Sequence, residues 1–150
     1  MNLKQLIKDY LDEAKLMQLA TATDNQPWVA SVWFAADSEF NIYWFSSTGR
    51  RHSKEVLKNL KDAAAIVFPH TPQDTPRGLQ FQGTAELLTE QKDIDKAISI
   101  YADRIFSRKQ IAKFMADDES PHSFYRIKPN QFVLFDLVNF PEKPRQELNL

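Results

Sequence analysis

Between Ser46 and Lys61 the chain gathers the groups best suited to hold an anion. Ser46-Ser47-Thr48-Gly49-Arg50-Arg51-His52-Ser53-Lys54 runs hydroxyls into cations. Arg50, Arg51, Lys54, Lys58 and Lys61 are basic, and Glu55 is the one acid among them. Val56, Leu57 and Leu60 recur at helical spacing and predict a helix over 52–60 with one apolar face. The cations therefore crowd a helix start, where the dipole disfavours each by a few tenths to about 1 kcal/mol. A bound anion relieves that conflict. Backbone amides, a guanidinium, an ammonium and hydroxyls together make a phosphate site. The same run also reads as a solvated, charged loop.

Two further stretches carry chemistry. In Arg77-Gly78-Leu79-Gln80-Phe81-Gln82-Gly83, Gln80 and Gln82 share one face of a predicted strand. Facing a pocket, the two amides can donate to and accept from a heterocycle edged with C=O and N–H groups; facing water, they need no explanation. In Trp28-Val29-Ala30-Ser31-Val32-Trp33, small residues sit between large ones. Such a strand lets a flat ligand approach its backbone, or simply alternates core packing. Other chemistries are absent from the pattern. The sequence has no cysteine, so thiolate chemistry is excluded. His52, His70 and His122 lack metal-site spacing, and the latter two, each beside a proline, are expected at the surface. Asp117-Asp118-Glu119 lacks the spacing of a calcium loop and reads as a solvated turn. No pair of carboxylates marks a catalytic acid and base.

The elements that position these residues follow from periodicity. Leu3, Leu6, Ile7, Tyr10, Leu11 and Ala14 predict a helix. Strands are predicted over 17–23, 28–35, 42–46, 63–68, 79–88, 124–127 and 132–138, with turns at 24–27 and 37–39. Residues 69–76 hold three prolines and form a loop. Ile94, Ala97, Ile98, Tyr101 and Ile105 are helical in spacing, and Ser107 with Gln110 forms a capping box for a helix carrying Ile111, Phe114 and Met115. The tail after Pro141 is polar and expected to be loosely held. With 150 residues, 43% hydrophobic and 26% charged, the chain fits one globular domain, with a core over 15–138 and a polar tail at 139–150. Six or seven strands of similar length, mostly in adjacent pairs, predict an α+β, mainly β fold: a closed or nearly closed antiparallel barrel with peripheral helices. Three glycines exclude glycine-rich phosphate loops, and a net charge of −1 gives no footprint for nucleic acid. No apolar run approaches the ~20 residues of a membrane span, and no secretion signal opens the chain, so a cytoplasmic address is expected.

Taken in order, these stretches resemble the pyridoxamine 5′-phosphate oxidase-like family of flavin-binding split barrels. The resemblance runs through Leu19-Ala20-Thr21-Ala22-Thr23, Pro27, 29–34 and Ile42-Tyr43-Trp44-Phe45-Ser46. It continues through the basic loop with Ser53-Lys54, 64–68, Phe81-Gln82-Gly83-Thr84-Ala85-Glu86-Leu87 and Phe124-Tyr125-Arg126-Ile127-Lys128-Pro129. Arg50-Arg51-His52 and the stretch 77–83 look like the YhbP-type branch. The resemblance implies a split barrel that forms a homodimer, with FMN in clefts at the subunit interface and a small-molecule redox partner. It implies that the backbone of Val29, Ala30, Ser31 and Val32 runs along the isoalloxazine edge. Ser46 matches a hydroxyl near the phosphate. Ser53 and Lys54 align with the Arg-Lys pair that grips the phosphate in the true oxidases, the arginine being displaced here to Arg51. Gln80 or Gln82 lies on the strand that offers a glutamine to the flavin. The C-terminal Trp- and Arg-bearing segment of the true oxidases has no match in Pro141-Glu142-Lys143-Pro144-Arg145, so pyridoxamine phosphate oxidation is not implied. Members of the fold also bind deazaflavin or haem, which leaves a non-catalytic binding or stress-response module as the alternative to an FMN-dependent oxidoreductase.

Overall fold

A computed structural model describes residues 2–68 and 71–150. The expected exposure of His70 and the start of the 69–76 loop lie outside the described residues. In chain order the elements are α1 (Leu3–Glu13), β1 (Leu16–Thr23), β2 (Gln26–Ala36), β3 (Ile42–Ser47), α2 (Arg51–Lys58), β4 (Lys61–Val67), β5 (Arg77–Leu87), α3 (Gln91–Tyr101), α4 (Arg108–Met115), β6 (His122–Asp136) and β7 (Arg145–Asn149).

The strands form one antiparallel sheet in the order β3-β2-β1-β4-β5-β6-β7, and β3 also pairs with β6. That second pairing closes six strands into a barrel, with β7 as an outlier on β6. The fold is the α+β split barrel expected. Asp24 and Asn25 both take positive φ, as a two-residue hairpin turn between β1 and β2 requires. Asp37 ties the next turn by accepting from the backbone of Glu39 and Asn41.

Alternation sorts the side chains. Met17, Leu19, Phe34, Trp44, Ile66, Phe81 and Phe132 fill the barrel, and Trp44 stacks on Tyr125 with centroids 5.4 Å apart. α1 adds Ile7, Tyr10 and Leu11 to the same core. A second core joins Tyr43, Phe45 and Phe124 to Tyr101 of α3 and Ile111 of α4. The Ser107 capping box starts α4 as predicted.

Four expectations need correction. The two predicted strands 124–127 and 132–138 are one, β6, in which Pro129 pairs with Gly83 beside a bulge, a position where strands accommodate a proline. Gly83 faces that bulge, and a Cβ there would run into the Lys128 carbonyl. The tail ends in β7, whose ladder with β6 holds it in place. Leu57 and Leu60 are exposed; α2 ends at Lys58 and buries Ser53, Glu55 and Val56 instead. His122 is half-buried, its ring against Phe45 and Phe114.

Candidate functional site

The start of α2 is built where β3 ends. Ser46 and Ser47, both buried, lead through Thr48-Gly49 to Arg50, whose side chain leaves the helix uncapped. The first-turn amides thus lack the side-chain acceptor that normally satisfies them. Ser53 is fully buried and donates to the Ser47 carbonyl (2.8 Å), which fixes the loop against the helix. His52 Nε2 and Ser46 Oγ share a hydrogen bond of 3.1 Å. Burial, and then the nearby charge of Arg50, hold the His52 imidazole below its ordinary range, so it is neutral at pH 7. Lys54 is exposed and has no ion pair among the described residues.

Arg51 is held from two sides. Its Nε donates to Glu55 Oε2 (2.6 Å), and its guanidinium lies 4.1 Å from the centroid of the Trp28 ring. The remaining nitrogens of the fork have no partner among the described residues and stay available to an anion. Glu55 also accepts from Thr21 Oγ1 (2.9 Å). The Arg51 and Thr21 bonds keep its carboxyl below the usual carboxylate range. The sequence reading does not anticipate Trp28 and Glu55 as partners of Arg51, nor Thr21 as the donor to Glu55. The i, i+4 spacing of Arg51 and Glu55 was the available signal.

Beside Trp28 the barrel is split. β3 pairs with β2 only at Phe34, Ala35 and Ala36. The far edge of residues 28–32 therefore has no strand neighbour among the described residues, and its amides and carbonyls are open. Val29 and Ser31 point outward and are exposed; Ala30 and Val32 point into the barrel. This stretch therefore offers a free backbone edge together with the exposed side chains of Val29 and Ser31.

Gln80 and Gln82 belong to the outer face. Cross-strand register aligns Ser31, Gln18, Ala65, Gln80 and Val133 in one row, and Val29, Ala20, Ala63, Gln82 and Gln131 in the next. These rows line a shallow groove of about 370 Å³ with no charged group in its wall. Its alanines keep it flat and its amides supply the polar contacts. Within one chain the site residues thus fall into two groups. Ser46, Arg51, Ser53 and Lys54 gather at the start of α2, and Gln80 and Gln82 lie on the outer face. β2 connects them, through Trp28 on one side and Val29 on the other.

The profile of the pyridoxamine 5′-phosphate oxidase family matches residues 3–135. The chain belongs to that family. A UPF0306 protein of Haemophilus ducreyi is 29% identical over 86 residues, which make up 57% of this chain and 59% of that protein. The match thus spans less than two thirds of that relative's length. Two solved structures share the family fold. The haem storage protein HutZ from Vibrio cholerae superposes with a TM-score of 0.70 at 20% identity, over 86% of this chain and 91% of that one. An FAD-binding protein from Mesorhizobium loti superposes with a TM-score of 0.63 at 22% identity, over 85% and 88% respectively. No helix among the described residues is long and apolar enough to cross a membrane.

Proposed function

We propose that this chain is a homodimeric FMN-binding protein that serves as a flavin-dependent oxidoreductase. The observation that carries the reading is the open edge of β2 beside the uncapped start of α2. The phosphate would sit among the α2 amides, Ser46, Ser53, Lys54 and the free end of Arg51. The ring would lie along the backbone of Val29, Ala30, Ser31 and Val32. The outer face supports the second subunit: Val29, Trp33, Val67 and Phe135 are exposed apolar side chains on strands whose neighbours are alanines and amides. A second copy covering that face would bring Gln80 or Gln82 toward the ring. When bound, the flavin supplies the redox chemistry; the chain's part is to bind, orient and exclude water.

The test is a visible spectrum of purified protein after FMN is added and the excess removed. A retained flavin spectrum that releases one FMN per chain on denaturation is the expected result. The double substitution Arg51→Ala, Lys54→Ala should weaken FMN at least a hundredfold, since two charge-assisted contacts to a dianion are lost, worth roughly 1.5–3 kcal/mol each. Unchanged affinity in a folded double variant would move the phosphate elsewhere. The kinship in fold with a haem storage protein supports the alternative, a haem- or deazaflavin-binding module. A Soret band on adding haem, with no flavin retained, would favour it. Turnover of a reduced nicotinamide by the flavin-loaded protein separates an enzyme from a carrier.

A further inference from the structure

Beneath α2 two carboxylates are buried, and among the described residues only one of them, Glu55, has a counter-ion. Glu55, 6% exposed, is fully engaged by Thr21 and Arg51. Asp62 of β4 is 5% exposed, and neither of its oxygens has a hydrogen-bond partner among the described residues. It has the inward parity of Ala64 and Ile66, and lies across from Gly83 of β5. The charged groups around it are few. α2 contributes Glu55, with Arg51 bonded to it and Lys58 and His52 within its field. β1 carries no titratable residue, and on β5 Arg77 and Glu86 stand near the strand ends, away from Gly83. Lys61, next to Asp62 on β4, points to the opposite face. Among the described residues, the charge that acts on Asp62 is the like charge of Glu55.

A buried carboxylate without a counter-ion takes up a proton instead of staying ionised. Burial first, and the Glu55 charge second, push Asp62 up to about 7. We propose that Asp62 is a proton-operated regulator of anion binding at the start of α2. When neutral, it leaves Glu55 as a single negative charge matched by Arg51. When ionised, it adds an unmatched negative charge under the helix that carries Arg51, Ser53 and Lys54. Anion affinity then falls as pH rises through neutrality. By linkage, a phosphate bound above favours the protonated acid, so binding near pH 7 draws in a proton. The inference rests on the cofactor reading above, in that α2 is where the phosphate sits.

The experiment titrates FMN into the full chain at pH 6 and pH 8, for the native protein and for Asp62→Asn. The phosphate's own second ionisation, near pH 6, is common to both proteins and cancels in the comparison. The native affinity should fall about fivefold more than that of the variant, the low end of common coupling between sites. Equal ratios would overturn the proposal. A second measurement needs no variant: calorimetry of FMN binding at pH 7 in buffers of different ionisation enthalpy. Proton uptake is expected, and its absence overturns the idea even where Asp62→Asn fails to fold. If FMN binds at neither pH, the cofactor reading fails by itself. The coupling is then read by NMR in the unliganded chain. Amide signals of residues 51–54 that follow the Asp62 carboxyl titration uphold the link, and signals indifferent to it end it.

Discussion

Asp62 is also a statement about stability. The native state holds its proton up to about 7, while the unfolded chain releases it near the ordinary 3.8. Between those values the folded protein binds more protons than the unfolded one, so raising the pH destabilises it. The contribution is whole below 3.8, is lost through the window, and is level above about 7. Asp62→Asn removes the dependence. It should be more stable than the native protein at pH 8 by a few kcal/mol, with the gap closing toward pH 4. Urea unfolding at several pH values measures this, and parallel profiles would refute it. Asp62 was hard to see in the sequence. An acid before Ala63-Ala64-Ala65-Ile66 looks like the residue that precedes a strand, and only the register with Gly83 reveals that it faces the barrel. Arg51 was legible as a cation at a helix start, and its i, i+4 spacing from Glu55 offered that partner; that Trp28 would restrain it was not legible, because the tryptophan comes from a strand far away in sequence.

Elements with local signals were the legible ones. The β1–β2 hairpin follows from alternation and from Asp24-Asn25, and α4 from its box. In that box Ser107 accepts from the Gln110 amide (3.2 Å), and the Gln110 side chain accepts from the Ser107 amide (2.9 Å). Ser107→Ala should cost about 1 kcal/mol. For a domain of this size that lowers Tm by roughly 2–4 °C, which calorimetry resolves. Elements held by partners were the obscure ones. β7 has no apolar alternation to announce it, since Arg145-Gln146-Glu147-Leu148-Asn149 owes its strand geometry to the edge that β6 offers. Pro129 read as a break, because nothing in the local chain says that a bulge will receive it. α2 kept its start but buried a serine and a glutamate in place of two leucines. The polar groups of Ser53 and Glu55 found partners in Ser47, Thr21 and Arg51, which makes their burial tolerable.

For the whole molecule, the outer sheet face sets association. Val67, at the end of β4, is 62% exposed on the outer face. In the proposed dimer, Val67→Lys places a charge in an apolar contact and should shift the protein to monomer in light scattering, with its melting curve little changed at a surface site. A native protein that is already monomeric would remove both the dimer and the cleft between subunits. Barrel closure has a different consequence, for the route by which the chain reaches this state. The β1–β2 hairpin can form from neighbours in sequence, but the β3–β6 seam joins Ile42 to Ile127 and Phe45 to Phe124. The entropy of closing so long a loop must be met before those contacts give anything back. The seam is therefore a late event in folding. Until it forms, β3 and β6 present unpaired edges and uncovered aromatic side chains, the surfaces on which an incompletely folded chain would find a wrong partner.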